Sequence, residues 1–291
     1  MKTVLSALSL MLGVMSPVLA ADWDAPERLR AGEALYGNPH DAHITADGLY
    51  LLVSDVDNDA IAVLVPGTLD LIGRFGAGEL SRPHDVTSGP DGRLYVADTA
   101  NGRIAIYTFN GTENYGNKVF ADLDEVWSDG IVWPEGIAVD TSNLAYVADV
   151  RPNAVLKIED GAVTKRVTEA DGIGLARPHD VQIAPDGSIY ATDPGNDRVI
   201  RFDADLNVTA VLDKETYGFD EPKYLAIDDD GMVFVADEYN DRIVMVRDDG
   251  ALQGIIEGDI NQPEGIEVAG RYIWIMDTSN HRALLYRRVP R

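Results

Sequence analysis

Apolar and polar residues alternate in short runs along this chain, and the runs come in sets. "LYLLVSD", "GRLYVAD", "NLAYVAD", "GSIYATD", "GMVFVAD" and "RYIWIMD" each collect branched and aromatic residues and then stop at an aspartate. Runs of this length and composition, bounded by turn residues, predict strands. A turn precedes each run: "ADG" at 46–48, "PDG" at 90–92, "TSN" at 141–143, "PDG" at 185–187, "DDG" at 229–231 and "AGR" at 269–271. Asp-Gly between apolar runs predicts a hairpin, because glycine takes the positive φ the turn needs.

Ahead of every turn lies another apolar run, opened by a proline. Pro39, Pro83, Pro134, Pro178, Pro222 and Pro263 stand 44, 51, 44, 44 and 41 residues apart. After each terminal aspartate (Asp55, Asp98, Asp149, Asp193, Asp237, Asp277) an asparagine follows within four residues: Asn58, Asn101, Asn153, Asn196, Asn240, Asn280. A third run such as "RIAIY" or "RIVMV" comes next, then a more variable fourth such as "NVTAVL". Four strands repeated six times predict an all-β chain folded as a six-bladed β-propeller. "HRALLYRRVPR" supplies only a third strand for the last unit, so its fourth is expected from the N-terminal segment around "RLRAGEALYG". Pairing the two ends closes the ring and leaves no inner edge exposed.

Residues 1–20 read as an export signal: Lys2, the apolar "VLSALSLMLGVM", and "PVLA" before Ala21. The apolar stretch is too short for a membrane span. Residues 21–291 are then a single propeller domain working in the periplasm or secreted, expected as a monomer. With no cysteine, disulfides and thiolate metal sites are excluded. The formal charge of −25 repels nucleic acid and attracts cations.

The Asp…Asn pairs occur in every unit and read as architecture, with Arg103, Arg198, Arg242 and Arg282 placed to bind the carboxylate. Lone His43 and His281 default to structural roles. Chemistry is expected where the units differ. The residue after each proline is His40, His84, Glu135, His179, Lys223 and Glu264. If the first strand is innermost, these six converge on the channel mouth. Three of the five histidines in the chain fall at this position. Neutral imidazoles suit a divalent metal with an open ligand position, so His40, His84 and His179, or His84, His179 and Glu264, are the candidate sets. Asp41, Asp85 and Asp180 follow the three histidines, as further ligands or as carboxylates that orient an imidazole. Glu135 and Tyr224 are candidates for proton transfer and Lys223 for stabilising an anion. The longer spacing before Pro134, in "FADLDEVWSDGIVWP", is expected as a loop at the mouth bearing Trp127 and Trp133.

"RPHDVTSGPDGRLYVADTANGRIAIY" and "EPKYLAIDDDGMVFVADEYNDRIVMV" resemble the NHL-repeat family, which implies the same six-bladed fold. The "PHD" entries also resemble the peptidyl-hydroxyglycine amidating lyase domain. That resemblance implies zinc on channel histidines, with calcium nearby, and His84 and His179 fit its spacing. The chain departs from it at Glu264, where a histidine is required, at His40, where none is, and in lacking disulfides. The reading is a metal-dependent lyase or hydrolase, zinc first and calcium second, acting on a small molecule or peptide, with a cationic one suiting the acidic surface. The alternative is a non-catalytic binding scaffold.

Overall fold

Each apolar run becomes a strand because its alternate residues have two interfaces to fill, one with the preceding blade and one with the next. The computed structural model describes residues 23–34, 36–113 and 118–290. The proposed export signal lies outside the described residues. Blade one comprises β2 (Pro39–Ile44), β3 (Leu51–Asp55), β4 (Ala60–Leu64) and β5 (Leu71–Phe75). Blade two comprises β6 (Pro83–Ser88), β7 (Leu94–Asp98), β8 (Arg103–Glu113) and β9 (Lys118–Trp127). Blade three is β10 (Pro134–Val139), β11 (Ala145–Asp149), β12 (Ala154–Glu159) and β13 (Ala162–Val167). A small hairpin, β14 (Glu169–Ala170) and β15 (Ile173–Gly174), leads to blade four: β16 (Val181–Ile183), β17 (Ile189–Asp193), β18 (Arg198–Phe202) and β19 (Val208–Leu212). One helical turn, α1 (Lys214–Tyr217), precedes blade five: β20 (Pro222–Ile227), β21 (Val233–Asp237), β22 (Arg242–Val246) and β23 (Leu252–Ile256).

Blade six joins the two ends. β24 (Pro263–Ala269), β25 (Tyr272–Asp277) and β26 (Arg282–Pro290) are completed by β1 (Trp23–Ala31), antiparallel to β26. The closing strand therefore starts earlier in the sequence than "RLRAGEALYG" suggests, and ends at Ala31. Every pairing is antiparallel, as hairpin-connected strands allow. The first strands of adjacent blades touch all the way round, which makes them the innermost ring.

The core lies between blades. On one face of blade one, Leu51, Val53 and Ala62 pack against Met276 and Leu285 of blade six. On the other, Leu52, Ile61 and Val63 pack against Val86, Val96 and Tyr107 of blade two. Burial of each large side chain contributes about 1.5–3 kcal/mol.

The repeated aspartates do structural work, as their sixfold recurrence predicts. Asp98 Oδ1 accepts from Ser81 N at 2.7 Å, and Oδ2 accepts from Asn101 Nδ2 at 2.9 Å and Arg103 Nε at 2.6 Å. Asp193, Asp237 and Asp277 repeat this with Arg198, Arg242 and Arg282 at 2.6–2.7 Å. Each carboxylate thus ties the connection entering its blade to the turn leaving its second strand. Blade three is the exception: Asn153 takes a left-handed φ of 51° and its side chain accepts from Arg177 N instead. His281 is likewise a turn residue, with φ 55° and Nδ1 bonded to the Gly37 carbonyl at 2.7 Å.

The extra residues of blade two lengthen the β8–β9 hairpin instead of forming a mouth loop. Their register continues from Ile104↔Trp127 to Glu113↔Lys118. Strand pairing satisfies the backbone of an insertion more completely than a loop can. Trp127 is buried between blades two and three, its indole donating to Glu125, so it does not line the mouth. No helix among the described residues is long and apolar enough to cross a membrane.

Candidate functional site: a ring of imidazoles and carboxylates at the hub

The inner strands begin at their prolines, so the following residues stand at one level around the axis. A bulge just after the proline in most blades lets consecutive side chains share the hub instead of taking opposite faces. Five of the six neighbouring pairs in the ring meet. The rings of His40 and His84 pack edge to face, 4.5 Å between centroids. His84 Nε2 lies 3.9 Å from Glu135 Oε1, and His179 Nε2 lies 3.1 Å from Glu135 Oε2. Lys223 Nζ is 3.3 Å from Glu264 Oε1, and Glu264 Oε2 is 3.0 Å from His40 Nε2. Side chains spread over 225 residues of sequence are thus gathered at one hub.

Each imidazole is oriented the same way. Nδ1 of His40, His84 and His179 faces the carbonyl two residues back, of Asn38, Arg82 and Arg177, at 3.3, 2.8 and 2.6 Å. A carbonyl only accepts, so the proton sits on Nδ1 and the Nε2 lone pair faces the hub. Burial holds all three neutral: it pushes the pKa of His40 and His179 down to about 3, and that of His84 well down. Lys223 reinforces the effect on each.

The carboxylates move the other way. Burial raises Glu135 to about 7, against a hydrogen bond from Trp133 Nε1 at 2.9 Å that favours the ionised form. The Trp133 indole is itself covered by the Arg151 guanidinium, 3.5 Å from the ring centroid. Glu264 is raised by burial, with Lys223 opposing. Lys223 would lose its proton more readily through burial alone, but Glu264 and Glu238 hold its pKa above the ordinary value. Glu238 comes from the turn after β21 and lies 2.9 Å from Lys223 Nζ.

Asp41, Asp85 and Asp180 turn away from the imidazoles toward backbone and one another. Asp85 Oδ2 accepts from Ile137 N of blade three at 2.5 Å, and Asp180 Oδ2 from Leu225 N of blade five at 2.8 Å. Asp41 and Asp85 hydrogen-bond each other, and burial first, then this like-charge contact, raises Asp41 well above the usual carboxylate range. Glycine makes room for these contacts: a Cβ on Gly136 would stand 2.6 Å from Asp180 Cα. Tyr224 is fully buried, its ring 6.2 Å from His40 and its hydroxyl without a hydrogen-bond partner. Burial, then Glu135 and Glu264, raise its pKa well above the ordinary value.

Imidazole nitrogens and carboxylate oxygens are donor types that can ligate a divalent metal. Glu264 Oε2 is buried and accepts no hydrogen bond, although His40 Nε2 stands beside it. Two lone pairs 3.0 Å apart repel unless a proton or cation lies near both. Among the described residues, however, no three His, Asp or Glu side chains form a group that could hold a metal ion as they stand. The ring yields two imidazole–carboxylate pairs, His40 with Glu264 and His179 with Glu135, and His84 bridges them.

Sequence comparison bears on the same segment. Residues 80–107, the inner strands of blade two, match the NHL repeat. The chain carries an NHL repeat. A search of curated protein sequences finds no match. Solved structures resembling this propeller include a luciferin-regenerating enzyme, at 15% identity and TM-score 0.65 over 91% of this chain and 95% of that one. A catalytically inactive histidine-to-alanine variant of virginiamycin B lyase from Staphylococcus aureus, with quinupristin, gives 11% identity and TM-score 0.60 over 90% and 98%. Hydrazine synthase of Kuenenia stuttgartiensis gives 15% and 0.61 over 88% and 97%. At these identities the likeness is one of fold.

Proposed function

We propose that the hub of this propeller recruits a divalent metal, zinc before calcium, and acts as a lyase or hydrolase on a small molecule or peptide outside the cytoplasm. The observation that carries this reading is the buried charge imbalance: Glu135, Glu264 and Glu238 surround one cation, Lys223, with three neutral imidazoles between them. Buried carboxylates in excess require protons or a cation. His40 with Glu264, and His179 with Glu135, would supply the first ligands, and His84 a further one after side-chain rotation. When bound, such a metal polarises a carbonyl oxygen or lowers the pKa of a bound water.

The remaining work falls to the chain itself. Without metal, burial holds Glu135 at a pKa of about 7, so it sheds its proton near neutral pH and is free to take up a cation. Trp133 fixes which of its oxygens is free, since Oε1 is already hydrogen-bonded. Lys223 stays cationic and would stabilise negative charge developing on the substrate. The unpartnered Tyr224 hydroxyl is available as a hydrogen-bond donor. Lyase chemistry in a propeller of this shape has a precedent in the virginiamycin B lyase neighbour. The resemblance of the "PHD" segments to amidating lyases points the same way.

Elemental analysis of the purified protein, before and after chelation, tests the proposal. About one equivalent of metal, removed by chelator and restored on addition, is the expected result; metal-free protein that takes up neither zinc nor calcium would refute it. The second reading is a non-catalytic scaffold that binds a cationic ligand or partner protein through its acidic surface and not through the hub, in keeping with the formal charge of −25. It predicts ligand affinity unchanged after His40, His84 and His179 are all replaced by alanine.

A further inference from the structure

Lower on the inner strands, away from the mouth, the repeat is broken at one position, and the side chain there meets a histidine of the neighbouring blade. The fifth residue after the proline is aliphatic in five blades: Ile44, Val139, Ile183, Ile227 and Val268. In blade two it is Ser88. One position earlier, where the other blades have Thr87, Ala138, Gln182, Ala226 and Glu267, blade one has His43. His43 Nε2 and Ser88 Oγ are 2.7 Å apart across the blade one–two interface. Both residues are half-buried. It lies roughly 10 Å along the strand from His40, at 3.3 Å per residue.

At Ser88 a hydroxyl replaces the aliphatic side chain that the five other blades use for packing, and His43 is the one imidazole at a position whose residue varies from blade to blade. A hydroxyl placed against that imidazole needs a reason other than packing. We infer that Ser88 and His43 form a nucleophile–base pair, a second reactive site that takes acyl or phosphonyl electrophiles at the lower end of the inner ring. The serine hydroxyl is weak alone and is activated by a base within hydrogen-bond reach. Ser88 Oγ attacks the electrophilic carbon or phosphorus while its proton passes to His43 Nε2. The alcohol or fluoride then departs, an alcohol taking that proton, and leaves an acyl- or phosphonyl-serine. His43 Nε2 stands within hydrogen-bond reach of that hydroxyl, placed to accept its proton as attack proceeds. Glu267 braces the same level from the opposite side, its Oε1 accepting from Ile44 N at 3.0 Å.

The site is independent of the hub and of any metal. Its test is reaction of the full chain with a fluorophosphonate probe, followed by peptide mapping. One modification at Ser88 is expected, none in Ser88→Val, which restores the aliphatic of the other blades. His43→Gln should slow labelling about 100-fold or more, the range of general-base contributions. Zinc uptake measured alongside should be the same in all three proteins, which separates this site from the hub. Absence of label at Ser88, or labelling at an unchanged rate in His43→Gln, would overturn the assignment and leave an ordinary interface hydrogen bond.

Discussion

The turns around the mouth and the ring inside them are both built from buried ionisable groups, yet only one of them is electrically complete. Asp193 is fully buried and accepts from Ala176 N, Asn196 and Arg198. Three other blades repeat that arrangement with an arginine from the start of the third strand. Glu135 and Glu264 are almost as deeply buried, but the imidazoles beside them are neutral and one oxygen has no donor. Repetition marks where charge is neutralised for the fold. Divergence between blades marks where it is left open.

This contrast should appear first in stability. Asp193→Ala strands the Arg198 guanidinium, itself buried, and should cost about 3–5 kcal/mol, the range for breaking a buried pair. Glu135→Gln keeps the acceptor for Trp133 but removes a charge the site does not neutralise, so metal-free protein should be as stable as the parent or more so. Urea denaturation of both variants would break the comparison if Glu135→Gln cost as much as Asp193→Ala.

Metal should act on the ring alone. Zinc at 100 times its dissociation constant should stabilise the parent by about 2.7 kcal/mol. Asp193→Ala, if folded, should keep that increment and Glu135→Gln should lose most of it. Thermal denaturation with and without zinc distinguishes the two.

The pH response follows from Glu135, whose folded-state pKa lies above its unfolded value of 4.5. The sign is that of a carboxyl stabilised in its protonated form: its contribution is complete below pH 4.5 and is lost as pH rises through about 7. Metal-free parent should lose stability across that window relative to Glu135→Gln, and bound metal should flatten the difference. The smallest effect is expected from Arg151→Ala, which uncovers one face of Trp133. Loss of that cation–π contact should cost about 1 kcal/mol and loosen the hold on Glu135 without abolishing metal uptake. A shift in the pH midpoint of metal binding would show the coupling.

The fold was legible because six copies make each signal visible against the others: within each unit the proline, the turn and the Asp…Asn pair recur at nearly constant offsets. The ring was legible for the same reason, as the aligned position where letters change. The bulge after the proline was not, since alternation alone puts His40 and Asp41 on opposite faces, whereas both lie near the axis. Blade two's insertion was misplaced because spacing gives the length of an insertion and not which hairpin absorbs it. Glu238 was missed although its signal was present. It is the only acid at a turn position otherwise held by Val56, Thr99, Val150, Pro194 and Thr278.

Calorimetric titration of chelator-treated protein with zinc, comparing the parent with a His179→Ala/Glu135→Gln double variant, measures the open charge of the ring most directly. One site in the parent, weakened at least 100-fold in the double variant while the fold is retained, is the outcome this account requires. Equal binding by both proteins, or none by the parent, would contradict it.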